Sequence, residues 1–201
     1  MIRSVVFDVN GVLQRIDQKE VLFGKDRLKA RYARAFLLAI TSEAHRTANT
    51  GKYRTKEETI QALIQEHPGW ENELRTVYSA GWENYFSIYP SMEKLVRELN
   101  GQYDLYILSN MSFAEKEHFI GYPLYSLFKG SVFSCDTGTL KPDPEIFRIL
   151  LSSYDIVPEE TLFIDDSQKN TETAEKLGFQ TMTVLPFGLS ANKIRKKLKS
   201  K

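Results

Sequence analysis

The sequence predicts an α/β fold: a doubly wound parallel sheet with a helical segment inserted after its first strand. Three observations carry this expectation. Five short apolar runs lack polar alternation, helix patterns separate the later runs, and one long early stretch breaks the rhythm. The runs fall at residues 5–7, 105–108, 131–133, 162–164 and 181–184. Unalternating runs of this length suit strands covered on both faces, as in a parallel sheet.

Between the runs the helices have readable ends. Ser91 is positioned to cap a helix that reaches Leu99 and stops at Gly101, and Asp143 with Pro144 opens another through Leu151. A third closes over residues 174–177 before Gly178. The β-α-β-α alternation argues for a doubly wound core. From Gln14 to Ser87 no strand is expected, and helical patterns occupy residues 26–40, 56–65 and 70–85. The expected division is a core of residues 1–14 and 88–201 and a helical cap of residues 15–87.

Bulk properties exclude several classes. The chain has 201 residues, enough to bury about 70% of its unfolded surface without staples. With 27 basic and 26 acidic residues the formal charge is +1, so nothing points to nucleic acid or an anionic membrane surface. No run approaches the length of a membrane span, and the apolar run at residues 4–7 ends in Asp8, too early for a signal peptide. The single cysteine, Cys135, cannot close an internal disulfide and reads as a small buried residue. These features lead to the expectation of a soluble cytoplasmic protein. The basic tail at residues 193–201 reads as a solvated helix end.

Chemistry gathers where the apolar runs stop. Asp8 follows the first, Ser109 and Asn110 the second, and Asp165 and Asp166 the fourth. Ligands of open α/β sheets bind at the carboxyl ends of the strands, so these distant residues should converge. Three carboxylates in one pocket repel one another unless a cation sits among them, and an all-oxygen donor set favours magnesium. Each residue also has a plain structural reading, as a strand end, a turn or a helix cap, and Lys141 as a solvated loop lysine.

Asp8-Val9-Asn10-Gly11-Val12-Leu13, Leu108-Ser109-Asn110, the run from Lys141 to Phe147 and Phe163-Ile164-Asp165-Asp166-Ser167 together resemble, in order, the four motifs of the haloacid dehalogenase superfamily. The resemblance spans the core, and residues 15–87 look like that family's small cap. It implies a hydrolase acting on a small-molecule phosphate ester. Asp8 would be the nucleophile that forms an aspartyl-phosphate. Mg2+ would be held by Asp8, the Asn10 backbone carbonyl, Asp165 and Asp166. Ser109, the Asn110 backbone N–H and Lys141 would bind the phosphate. Dehalogenation fits less well, because dehalogenating relatives resemble this chain less in the metal-binding motif.

Asn10 departs from the pattern. Phosphatases of the family usually carry a second Asp there as acid/base, and a carboxamide exchanges no proton near neutral pH. Three readings stand: an enzyme whose acid/base lies elsewhere, for instance Asp17 or a cap residue; a phospho-ligand-binding or regulatory protein without turnover; or deamidation of the Asn10-Gly11 pair to aspartate. The first is favoured because Asp8, Ser109, Lys141 and both late aspartates are all present.

In the cap, Arg27, Arg31 and Arg34 share a helix face that reads as solvated. Trp70, Tyr78, Trp82, Tyr85 and Phe86 read as cap packing. His45, His67 and His118 show no metal-ligand spacing. Gly81-Trp82 and the Tyr89-Pro90 turn resemble sugar-phosphate phosphatases of the family, so a sugar phosphate or similar phosphomonoester is the expected substrate.

Overall fold

The computed structural model describes residues 1–16, 30–79, 86–185 and 190–199. Strands β1 (Ser4–Phe7), β4 (Asp104–Ser109), β5 (Gly130–Phe133), β6 (Thr161–Asp165) and β7 (Gln180–Thr183) form one sheet in the order β5-β4-β1-β6-β7. Every pairing in it is parallel. β1 lies in the middle, with Phe7 opposite both Ile107 and Ile164. That register brings the ends of β1, β4 and β6 to one edge.

The strands explain their own apolar runs. Val5, Phe7, Leu105, Ile107, Leu162 and Ile164 face one core cluster, whereas Val6, Tyr106, Leu108 and Phe163 face the other. Helix α5 (Pro90–Leu99) and α10 (Ala191–Lys199) cover the first face through Leu95, Val96 and Ile194. Helices α8 (Pro144–Tyr154) and α9 (Gln168–Lys176) cover the second through Ile146, Phe147 and Ala174. The basic tail therefore begins as a helix anchored by buried Ile194, with Arg195 paired to Glu98 at 2.7 Å. Cys135 is buried, and desolvation pushes its thiol up to about 12, which suits a packing role.

The insert contains α1 (Ala30–Ile40), α2 (Glu43–Asn49), α3 (Lys56–Glu66) and α4 (Glu71–Ser79). These helices gather a separate apolar cluster around Phe36, Leu63, Leu74, Val77 and Phe86. α2 goes beyond the sequence expectation; it is short, and its start rests on Ser42, whose side chain accepts from the His45 N–H. The expected absence of strands is also corrected. β2 (Gln14–Ile16) and β3 (Phe86–Ile88) form an antiparallel ladder that closes the insert where the chain leaves and re-enters the core. Three-residue strands carry too little pattern to be seen in sequence.

Another correction concerns Ser91: α5 begins at Pro90 after Tyr89, so Ser91 lies inside the first turn. Asp143 does cap α8, accepting from the Glu145 N–H at 2.9 Å. Within the insert, Tyr78 and Phe86 are buried, and Arg31 and Arg34 lie over the Trp70 ring while Arg31 also pairs with Glu73. Asp17, Arg27, Gly81, Trp82 and Tyr85 lie outside the described residues, as do the start expected for the helix at 26–40 and the end expected for that at 70–85. No helix among the described residues is long and apolar enough to cross a membrane.

Candidate active site

Asp8 stands one residue past β1, Ser109 ends β4, and Asp165 ends β6. The parallel register places all three at the same sheet edge. Lys141 comes from the loop before α8 and reaches in from the side. Its backbone is clamped by Asn110: the Lys141 N–H donates to Oδ1 at 2.8 Å and the Asn110 amide donates to the Lys141 carbonyl at 2.9 Å.

The buried Lys141 ammonium is shared three ways. It contacts Asp8 Oδ1 at 2.8 Å, Asp165 Oδ2 at 2.7 Å and the Leu108 carbonyl at 2.8 Å. Ser109 Oγ donates to the same Asp8 oxygen at 2.8 Å. Asp8 is thus gripped through Oδ1, and Oδ2 has no hydrogen-bond partner among the described residues. Asp165 accepts through its other oxygen from the Ser167 N–H at 2.8 Å and from Asn170 at 2.9 Å. Asp166 is the least buried of the three carboxylates, and it sits over Gly11, where an added Cβ would collide with its Oδ2. Gly11 has φ +84°, so this close approach and the backbone conformation both require glycine.

One oxygen from each of Asp8, Asp165 and Asp166 lies within 4.8 Å of the others. Crowding and burial raise the cost of ionising Asp8 and Asp166. Burial pushes Asp8 up to about 7, against the pull of Lys141 and with the repulsion of Asp165 and Asp166 adding to it. Asp166 is raised as well, first by burial and then by Asp165. Burial opposes the Lys141 charge, but Asp8 and Asp165 outweigh it and hold the ammonium above the ordinary lysine range. The donor set is all oxygen, and its three carboxylates outnumber the single Lys141 ammonium among them, which fits a hard divalent cation.

The pH dependence has a definite sign. Between the ordinary carboxylate value of 3.8 and about 7, folded Asp8 keeps a proton that the unfolded chain releases, so stability falls as pH rises through that window. In EDTA, Asp8→Asn is therefore expected to be more stable than wild type at pH 8, with the gain gone at pH 4. Calorimetric melting across pH checks this; an equal gain at both pH values would place its origin in packing instead.

Asp8, Ser109, Asn110, Lys141, Asp165 and Asp166 all come together, and Asn10 lies in the turn after β1, held by Gln14 and next to Gly11, which packs against Asp166. The Asn110 side chain holds Lys141, a contact that the motif does not announce. Ser167, Asn170 and the Leu108 carbonyl also enter the site without having been expected there. Ser167 is part of the fourth motif, but nothing in the sequence signals Asn170. His45, His67 and His118 lie outside the carboxylate cluster.

A doubly wound sheet with Asp8 and Asp165 at the ends of its strands places the carboxylate cluster where ligands of open α/β sheets bind. The chain belongs to the haloacid dehalogenase-like hydrolase family, whose pattern matches residues 2–178. It is 28% identical over 196 residues to a D-ribitol-5-phosphate phosphatase of Bacteroides thetaiotaomicron, covering 90% of this chain and 91% of that protein. It is 26% identical over 164 residues to a phosphoserine phosphatase of Thermus thermophilus, covering 79% and 63% respectively. A solved HAD-family enzyme of B. thetaiotaomicron in its magnesium complex has the same fold, with TM-score 0.75 and 22% identity over 96% of this chain and 98% of that one.

Proposed function

We propose that this chain is a magnesium-dependent phosphatase of small phosphomonoesters, a sugar phosphate or similar, working through an aspartyl-phosphate on Asp8. The observation that carries this reading is the one-sided grip on Asp8. Lys141 and Ser109 hold Oδ1, so the carboxylate is fixed in direction while Oδ2 is left for a ligand. A nucleophile must be ionised and aligned in this way. The named activities of the two phosphatase relatives support the same chemistry.

Roles follow from the contacts. Asp8 attacks phosphorus and the ester oxygen leaves. Ser109, Lys141 and the Asn110 N–H would hold the phosphoryl oxygens, while the Asn110 side chain keeps Lys141 in register. Water subsequently releases phosphate and frees Asp8. Asp8, Asp166 and the Asn10 carbonyl would hold magnesium. Asp165 stands beside them but is already bonded through both oxygens, so its larger part is to anchor Lys141. Bound magnesium supplies charge neutralisation and a fixed phosphate orientation.

The insert, residues 15–87, is proposed as a cap over this edge; its separate apolar cluster and the β2–β3 ladder support that division. A single cysteine among 201 residues fits a reducing cytoplasm. One observation favours a second reading. Asn10 cannot transfer protons, so a phospho-ligand-binding or regulatory protein without turnover is the alternative.

A panel of alkyl, sugar and aryl phosphates, with magnesium and with EDTA, separates the two. Turnover that EDTA removes and magnesium restores is the expected result. Binding of phosphate esters without turnover on any of them would favour the alternative.

A further inference from the structure

The turn after β1 holds a contact to which the roles above assign nothing. Gln14 is almost fully buried at the start of β2, paired across the ladder with Ile88. Its Nε2 donates to Asn10 Oδ1 at 2.7 Å. Its main-chain carbonyl accepts the Gly11 N–H at 2.9 Å. One residue therefore grips both halves of the Asn10-Gly11 pair. Its own Oε1 is buried with no hydrogen-bond partner among the described residues.

That last feature favours one orientation of the two amides over the other. Reversing both carboxamides would keep the Asn10 contact but leave both Gln14 N–H hydrogens without acceptors among the described residues, where the present orientation leaves one N–H and one carbonyl oxygen. Orphaned buried donors are rarer than under-satisfied carbonyls. Asn10 consequently has its oxygen engaged, and its NH2 is the end left to meet a ligand.

We infer that Gln14 is a positioning residue that locks Asn10 as a hydrogen-bond donor and preserves it as an amide. The donor role rests on the phosphatase reading; the preservation does not. In an Asn-Gly pair the glycine nitrogen can attack the carboxamide carbon. An N–C bond forms, the C–NH2 bond breaks, and ammonia departs with the proton from the glycine nitrogen. Water then opens the cyclic imide to aspartate or isoaspartate. Here attack requires Gly11 N–H to leave the Gln14 carbonyl and the Asn10 carboxamide to leave Nε2. Both bonds belong to a turn tied into the ladder, with Gln14 N–H itself donated to the Val9 carbonyl at 2.9 Å. Spontaneous conversion of Asn10 to aspartate, one of the readings open from sequence, is thus opposed by the fold.

Peptide mass spectrometry after incubation tests this. Asn10 in folded wild type is expected to deamidate about 10-fold or more slowly than in the same protein unfolded in urea at equal pH and temperature, as loss of two hydrogen bonds implies. Gln14→Met keeps the volume and removes the side-chain bond. Folded Gln14→Met is expected to deamidate about 5-fold faster than folded wild type, and on a phosphomonoester to lose about 5-fold in kcat with KM little changed. Melting temperature and magnesium affinity report whether that variant is folded. Equal deamidation of folded and unfolded wild type overturns the inference, as does a folded Gln14→Met indistinguishable from wild type in both readouts. Slow deamidation released by Gln14→Met in a protein that turns over no ester upholds the clamp and rejects the phosphatase reading instead.

Discussion

Asp8→Asn is expected to lose at least about 10⁴-fold in kcat/KM on any phosphomonoester that wild type hydrolyses, because an amide oxygen is a poor nucleophile and no neighbouring group can replace it. Lys141 and Ser109 would still find an acceptor at Oδ1, so the loss comes from chemistry rather than from collapse of the site. The same variant is the one expected to melt higher in EDTA at pH 8, since it removes one of three crowded carboxylates. A dead but stabilised protein is the paired signature. Turnover within about 10-fold of wild type would show that Asp8 is not the nucleophile.

Asn10→Asp carries the second large effect. General acid–base help is worth about 10²–10⁴ in rate, and restoring a proton donor and acceptor at position 10 recovers part of it. Gln14 Nε2 already donates to Oδ1 of residue 10, so one carboxylate oxygen of the variant keeps that bond and the other is free to exchange the proton. Hydrolysis of alkyl phosphates is expected to rise by about 10-fold or more, and that of aryl phosphates, whose leaving groups need less protonation, by less. Steady-state kinetics on the two ester series, with Asn10 of the wild-type sample shown intact by mass, measure the difference. Equal rates on alkyl phosphates would mean that another residue supplies the proton.

The three central strands of the main sheet, β1, β4 and β6, are legible in the sequence because both of their faces are buried, so each reads as an apolar run that ends at a polar tip. Asp8, Ser109 and Asp165 are legible for the same reason: a strand end is a place that sequence can mark. What escapes is tertiary. The Asn110 side chain meets a backbone 31 residues away, and Lys141 reaches Asp165 across 24. No local period encodes such contacts. Gln14 reads only as the boundary of the insert, because a buried glutamine announces itself through a partner that cannot be known before the turn folds. Ser91 has the chemistry of a cap without the position, because Pro90, fixed at the first helical position, has already begun the helix one residue earlier.

The β2–β3 ladder has a consequence for how such chains can be rebuilt. The outgoing and returning segments run side by side from Gln14↔Ile88 to Ile16↔Phe86, so the core presents its insertion point as two chain ends about 5 Å apart. Any polypeptide whose termini lie that close can be spliced there without stretching the sheet edge, and a two-residue turn can seal the opening as an ordinary hairpin. The ladder is in effect a socket: the core specifies the spacing and direction of the splice and leaves the length and content of what is spliced to vary.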